Sequence, residues 1–160
     1  MAGVLTFAIA HEMELATWKR IIDINLTGTF IINKAVLPHL MESKGNIVNA
    51  GSTAGIGGLP YGAVYSASKG AVHAFTRSIA VDYAMHGVRA NCVCPGDIKT
   101  NMVSGIEFPE GADMKHLNRA MSLTGPTGPS VIAAMVALLA SDDGLHITGE
   151  EIRVDGGTLA

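Results

Sequence analysis

Apolar residues recur along this chain at two spacings, which predict alternating helices and strands. Over residues 12–43 they return every three or four positions, the period of a helix buried along one side, and Lys44-Gly45 supplies a stop. Residues 45–50 and 88–94 are short apolar runs typical of buried strands. The remaining predicted elements are a helix over 64–85, a helix from Pro129 and a strand over 151–155. Alternation of this kind is typical of a parallel sheet with crossover helices.

The composition fits a globular chain with a large core. Apolar residues make up 48% of the 160 residues and charged residues 16%, with a formal net charge of -3. No run of Lys and Arg occurs, so nucleic acid and membranes are not expected as partners. The longest apolar run, Val131–Ala140, is far shorter than the roughly 20 residues of a membrane span, and it predicts a buried helix. Residues 2–10 lack the basic start of a signal peptide, which favours a cytoplasmic location.

The cysteines and histidines give no sign of a disulfide or a metal centre. Cys92 and Cys94 are two positions apart in a strand pattern, so they share a face but are too close along the chain for an easy bridge. Free, buried thiols of a cytosolic protein are the expected state. The histidines show no metal-ligand spacing, so we predict no metal site; they lie at positions 11, 39, 73, 86, 116 and 146.

One short segment combines a hydroxyl, a phenol and an amine. Tyr65 and Lys69 are four positions apart, so on a helix their side chains project from the same face. A tyrosine that exchanges a proton near neutral pH needs its pKa lowered by about 2 to 3 units, and an ammonium at about 4 Å contributes on the order of 4 kcal/mol at an effective dielectric of 20. Ser52, just after a predicted strand, would hydrogen-bond the same substrate oxygen. Taken alone, the pair also fits a helix that merely exposes a tyrosine and a lysine.

The order of these three residues resembles the short-chain dehydrogenase/reductase family. That family has a serine at the end of its fifth strand and then Tyr-x-x-x-Lys at the start of the next helix, as Ser52, Tyr65 and Lys69 would be here. Asn25, in Asp-Ile-Asn-Leu-Thr-Gly, is similar to the family's fourth catalytic residue, which bends a helix and holds a relay water. A hydrogen-bonded core asparagine is the alternative for this buried position.

Further motifs follow in the family's order, from about Ala2 to Leu159. Pro95, Gly96, Ile98 and Thr100 resemble the segment that contacts the nicotinamide end of the cofactor. Thr148-Gly149 and residues 154–157 resemble the closing strand.

The resemblance implies a fold and an activity. The fold would be α/β, a partial Rossmann-like doubly wound parallel sheet between flanking helices, with residues 1–160 as a single, incomplete NAD(P)-binding domain. The activity would be hydride transfer between NAD or NADP and a carbonyl or secondary alcohol, as in 3-oxoacyl-carrier-protein reductases and many alcohol and steroid dehydrogenases. Tyr65 would be the acid/base and also contact the cofactor, and Lys69 would lower the pKa of Tyr65 and bind the ribose. Ser52 would orient the substrate oxygen and Asn25 would hold the water.

The resemblance also implies a homo-oligomer and a substrate class. The helices at 12–43 and 64–85 would form the seam between copies. Residues 102–128 read as a loop with one short helix, and in the family this region covers the substrate. Its apolar side chains favour an acyl, steroid or terpenoid-like substrate; they are Met102, Val103, Ile106, Phe108, Met114, Leu117, Met121 and Leu123.

The family's first third has no counterpart in this sequence. Met1-Ala2-Gly3-Val4 resembles the end of the fourth strand, so the glycine-rich pyrophosphate turn and the residue that selects NAD or NADP are missing. Residues 51–57 fit G-x-x-x-G-x-G but lack the first strand and the directly following helix that this fingerprint requires. A catalytically silent oligomerisation module is therefore the alternative to an enzyme. Either residues 46–50 or residues 2–10 should form an open sheet edge.

Overall fold

The computed structural model describes residues 3–103 and 105–160, and it begins with a long, locally widened helix. Helix α1 (Leu15–Ile22) passes into a π-helical turn (Asp23–Thr27) and then into α2 (Gly28–Ser43). The start at Leu15 is later than the predicted residue 12, because Ala10–Glu12 forms a separate 3-10 turn followed by an extended Met13. The helix ends as predicted, with Lys44 in the left-handed region.

Three parallel strands form the sheet, in the order β1 (Asn46–Ala50), β2 (Arg89–Pro95) and β3 (Glu151–Val154). Within the described residues β1 pairs only with β2, so its other edge is open. Residues 46–50 were one of the two segments predicted to form an open sheet edge. The second segment predicted to form such an edge, residues 2–10, contains no strand over the described residues 3–9. It is held by a hydrogen bond from the backbone N–H of Ala8 to the carbonyl of Tyr61 at 2.8 Å.

Further helices connect and cover the strands. A single turn, α3 (Ala54–Gly57), follows β1, and α4 (Ala63–Asp82) leads through a 3-10 turn (Ala84–His86) to β2. After β2 come short elements, which are the 3-10 turn Asn101–Val103, α5 (Met114–Leu117) and the 3-10 turn Asn118–Ala120. Helix α6 (Ser130–Ala140) and the 3-10 turn Asp142–Gly144 precede β3.

The sheet lies between two helical layers. On one face, α2 and α4 bury Leu37 and Ile79 against Ile47 and Ala90 of the strands. On the other face, α6 packs Ile132 and Leu139 against Val93, which points the opposite way from its neighbours in the pleat. Helices on both faces of a parallel sheet confirm the predicted α/β, doubly wound Rossmann-like class.

Helix α6 is less buried than its sequence predicts. Only Ile132 and Leu139 are buried, whereas Val131 and Leu138 are 38% and 41% exposed. The prediction of a buried helix was therefore wrong. An all-apolar helix is buried on every side only when other elements cover every side. The described residues cover α6 only on the side that faces the sheet. The described residues contain no helix long and apolar enough to cross a membrane.

Candidate active site

A cavity of about 1240 Å³ opens at the carboxyl ends of the strands. Strand β1 ends at Ala50 and β2 at Pro95, and because the strands are parallel, the segments that follow them meet at the same edge of the sheet. All the predicted site residues except Asn25 line this cavity, namely Ser52, Tyr65, Lys69, Pro95, Gly96, Ile98 and Thr100.

Helix α4 holds Tyr65 and Lys69 in its first two turns. The two side chains lie side by side, with Lys69 Nζ 5.7 Å from the centre of the Tyr65 ring. Both are buried, with exposed fractions of 7% and 5%. Lys69 Nζ also donates to the carbonyl of Ala50 at 2.9 Å, so the last residue of β1 fixes where the ammonium sits.

Burial is the main influence on both ionisations. It raises the pKa of Tyr65 above its ordinary value, and hydrogen bonding with the Ser52 side chain offsets only part of that rise. It lowers the pKa of Lys69, while the nearby thiols of Cys92 and Cys94 oppose the shift. The expectation that Lys69 holds the pKa of Tyr65 low is therefore not met, because desolvation of the phenol is the largest influence on that pKa.

Ser52 is fixed by its backbone as well as its side chain. Its N–H donates to Nε2 of His73 at 3.2 Å, and its Oγ accepts from the N–H of Ala54 at 3.1 Å. Because Oγ is already an acceptor for Ala54, its own proton can be donated toward the cavity. His73 was not singled out by sequence reasoning, since a lone histidine inside a helix carries no local signal of such a contact.

Asn25 lies in the π-helical turn and ties the N-terminal segment to the helices. Its Oδ1 accepts from the N–H of Val4, and its Nδ2 donates to the carbonyl of Val4, both at 2.9 Å, and to Ser68 Oγ at 3.0 Å. A β-carbon on Gly3 would lie 3.5 Å from Asn25 Oδ1 and 3.9 Å from Lys69 Nζ, so Gly3 passes between the two side chains. These contacts make Asn25 a hydrogen-bonded core asparagine, and its relay role stays a prediction.

The segment after β2 approaches the turn after β3 very closely. A β-carbon on Gly96 would lie 2.7 Å from Cβ and 2.8 Å from Cα of Asp155, so only glycine fits there. The next residue, Asp97, lines the cavity, and its Oδ2 is buried without a hydrogen-bond partner among the described residues. Sequence reasoning passed over Asp97, since the pattern Pro-Gly-Asp does not reveal that the carboxylate turns inward.

The rest of the cavity wall is apolar. Phe7 and Phe108 stack with ring centres 4.6 Å apart, joining the N-terminal segment to the segment after β2. Most of the predicted covering residues line the wall, namely Met102, Ile106, Phe108, Met114, Leu117 and Met121. Leu123 is 79% exposed, and the side chain of Val103 lies outside the described residues. Phe7 and one side of α6 also face the cavity, which was not predicted.

Comparison with known proteins agrees with this geometry. Residues 1–158 match the sequence model of a family described as enoyl-(acyl carrier protein) reductase. The chain belongs to the short-chain dehydrogenase/reductase family. It is 42% identical over 159 residues to meso-2,3-butanediol dehydrogenase of Serratia marcescens, covering 99% of this chain and 62% of the relative. It is also 42% identical over 165 residues to 2-(S)-hydroxypropyl-CoM dehydrogenase 3 of Xanthobacter autotrophicus, covering 99% of this chain and 64% of that relative.

A solved structure shows the same fold. A 4-hydroxyisoleucine dehydrogenase mutant complexed with NADH and succinate superposes with a TM-score of 0.86 at 31% identity, covering 99% of this chain and 66% of that one. This short-chain dehydrogenase/reductase chain thus spans less than two thirds of the length of the first curated relatives that it matches.

Proposed function

We propose that this chain is the catalytic part of an NAD(P)-dependent oxidoreductase that interconverts a carbonyl and a secondary alcohol. The observation that carries the proposal is that Ser52, Tyr65 and Lys69 line one cavity at the carboxyl end of the strands. The dehydrogenase names of the relatives favour the same class of reaction. On this proposal, residues 1–160 belong to one cofactor-binding domain.

The residues around the cavity fit the nicotinamide end of a dinucleotide. Lys69 is a buried cation beside the phenol and is suited to bind a ribose hydroxyl. The segment from Pro95 to Thr100 supplies a cavity wall, and Gly96 lets this segment pack closely against Asp155. Asp97 Oδ2, which has no hydrogen-bond partner in the part of the chain that the structure describes, is a buried acceptor, as expected of a cavity shaped to receive a hydrogen-bond donor. When bound, the cofactor would supply the hydride or accept it.

The chain's own groups would handle the proton. Tyr65 is the acid/base, and because burial raises its pKa, the phenol starts protonated and can donate to the oxygen of a carbonyl substrate. Ser52 donates a hydrogen bond to the same oxygen and fixes its position. The opposite direction needs a phenolate, which the Lys69 ammonium and the positive charge of an oxidised nicotinamide would favour.

The cavity wall favours an apolar substrate. Aromatic and methionine side chains form much of the wall, with the stacked Phe7 and Phe108 among them. Such a wall suits an acyl chain, a steroid or a terpenoid-like molecule better than a sugar, whose hydroxyls need hydrogen-bond partners.

We also propose that the working form is a homo-oligomer in the cytoplasm. Helices α1 and α2 expose large apolar side chains between 36% and 64%, namely Leu15, Trp18, Phe30, Ile31, Ile32 and Val36. Contiguous exposed apolar residues mark interaction surfaces in soluble proteins. A seam along α1, α2 and α4 would cover these side chains.

A calorimetric titration of the 160-residue chain with NADH and with NADPH tests the enzyme proposal. We expect saturable binding in the micromolar range with one of the two, weakened at least tenfold in Lys69→Ala and nearly unchanged in Tyr65→Phe. Lys34→Ala, at an exposed position on α2, is the matched control and should bind as the natural chain does. Absence of heat at millimolar cofactor would overturn the proposal for this chain and favour the silent oligomerisation module.

A further inference from the structure

Three metal-ligating side chains converge behind the candidate active site, in a part of the core that the proposed chemistry does not use. His73 of α4 and Cys92 and Cys94 of β2 are at least 98% buried. Their ligand atoms all lie within 4.8 Å of one another, and Cys94 Sγ is 3.4 Å from His73 Nε2. A metal held at about 2.0–2.1 Å by nitrogen and about 2.3 Å by sulfur would separate its ligands by roughly 3.5 to 4 Å. The cluster thus has nearly the dimensions of a metal site.

A glycine leaves room beside the three ligands. A β-carbon on Gly51 would lie 2.4 Å from His73 Nε2, 2.7 Å from Cys92 Sγ and 2.9 Å from Cys94 Sγ. All three ligand atoms therefore point toward one small region next to the Gly51 backbone, at the end of β1. Any larger residue at position 51 would force the three side chains apart.

The contacts of the histidine give it the correct form for a ligand. Its Nδ1 lies 3.2 Å from Oε2 of Glu151, and Glu151 is itself paired with Arg77. A carboxylate that accepts the Nδ1 proton leaves the lone pair on Nε2, which faces the two sulfurs. Metal-ligating histidines typically have such a carboxylate partner on the other ring nitrogen.

The charges around the thiols also suit a bound cation. Lys69 lies close enough to Cys92 and Cys94 for its charge to interact with both sulfurs. Two thiolates and a monovalent metal ion carry one net negative charge, which the Lys69 ammonium would balance.

We propose that His73, Cys92 and Cys94 bind one soft metal ion of the Cu(I) type in a buried three-coordinate site. Thiolate ligands select Cu(I) and Zn among the common metals. Zinc in structural sites takes four ligands, whereas the described residues within this cluster provide three, a number that satisfies Cu(I).

Binding at this site is coupled to Ser52. The Nε2 lone pair that would bind the metal now accepts the Ser52 N–H. One lone pair cannot serve both, so metal binding removes a hydrogen bond from the residue that orients the substrate oxygen. The site adjoins Ser52, which lines the cavity, but it needs no dinucleotide and no catalysis.

An anaerobic titration of the reduced chain with Cu(I), against a chromophoric Cu(I) chelator, tests the proposal. We expect one equivalent bound per chain, and at least a tenfold loss of affinity in Cys92→Ala, Cys94→Ala and His73→Gln. His86→Gln removes an exposed histidine and is the matched control, with affinity unchanged. Uptake that is the same in the His73 and His86 variants would overturn the three-ligand site.

Two measurements on the natural chain cover the case in which a variant fails to fold. X-ray absorption at the copper edge should show two sulfurs and one nitrogen, and a sulfur-only shell would contradict the proposal. The melting temperature should rise with Cu(I), because a ligand that binds the folded state stabilises it. A fall in the melting temperature would mean that the two thiols bind copper in the unfolded chain, and it would overturn the site. A titration that shows no uptake of Cu(I) would overturn it as well. The dinucleotide titration is independent of each of these results.

Discussion

Burial of Tyr65 makes its ionisation depend on folding. Folding raises the pKa of Tyr65 above the ordinary value near 10 that applies to the unfolded chain. At a pH between the unfolded and the folded pKa, the unfolded chain has lost the phenol proton and the folded chain has kept it. Stability should therefore fall as the pH rises above about 10, by about 1.4 kcal/mol for each unit of pKa difference. Urea unfolding at pH 8 to 11 measures this, and Tyr65→Phe should lose less stability over that range than the natural chain.

A second tyrosine provides the control for this measurement. Tyr83→Phe removes a hydroxyl from a partly buried tyrosine that packs against the core just after α4, so it controls for the loss of a tyrosine hydroxyl as such. If Tyr65→Phe and Tyr83→Phe decline alike above pH 10, the burial of Tyr65 does not govern its ionisation.

Asn25 should contribute strongly to stability. Its amide makes three hydrogen bonds, to both backbone groups of Val4 and to Ser68, and it is 1% exposed. Asn25→Ala should lower the free energy of unfolding by about 2 to 3 kcal/mol, at about 1 kcal/mol for each bond. Chemical denaturation measures the loss, and Asn101→Ala, at an exposed position, should change stability by less than about 0.5 kcal/mol. Equal effects of the two substitutions would contradict this account.

The residues of the site could be predicted because their relation is local in sequence. Tyr65 and Lys69 need only a helix to become neighbours, and Ser52 needs only the end of a strand. The direction of the Tyr65 pKa could not be predicted, since it depends on how deeply the sheet and the covering segment bury the phenol. Contacts such as Ser52 with His73 join separate elements and leave no pattern along the chain.

At the scale of elements, two glycines set the distance between α3 and α4. Gly70 lies inside α4, and a β-carbon there would lie 3.3 Å from the carbonyl oxygen of Gly55. The reverse contact is tighter, because a β-carbon on Gly55 would lie 2.7 Å from the backbone nitrogen of Gly70 and 2.8 Å from the carbonyl carbon of Lys69. A glycine inside a helix is a sequence sign of close packing, but the sequence does not show which segment packs against it.

Alanine substitutions at Gly55 and at Gly28 should have opposite effects on stability. Gly55→Ala places a methyl group against backbone that cannot rotate away, so we expect a loss of about 1 to 3 kcal/mol and a displaced Lys69. Gly28→Ala, in α2, meets its nearest atom at an ordinary 3.6 Å and should gain about 0.5 to 1 kcal/mol, because alanine favours the helix. Thermal unfolding of both variants decides this, and a stabilised Gly55→Ala would contradict the packing described for α3 and α4.

At the scale of the whole molecule, the apolar side of α1 and α2 should hold copies of the chain together. The sequence predicted a continuous helix here with an apolar stripe, but it could not show which part of the stripe a single chain would bury. The side chains of Ile31 and Ile32 are 57% and 64% exposed, and that of Phe30 beside them is 46% exposed. Burial of apolar surface contributes about 25 cal/mol per Å², so this side of the helices favours association.

Sedimentation velocity on a single charged substitution tests this seam. Ile32→Glu would place a carboxylate in a desolvated interface, which costs several kcal/mol, so the variant should sediment as a monomer at concentrations where the natural chain is an oligomer. Leu145→Glu changes an equally exposed apolar residue, at 65%, outside these helices, and it should keep the mass of the natural chain. If Leu145→Glu dissociates the oligomer and Ile32→Glu does not, the copies meet through the side of the molecule where α6 and β3 lie, and the seam on α1 and α2 is wrong.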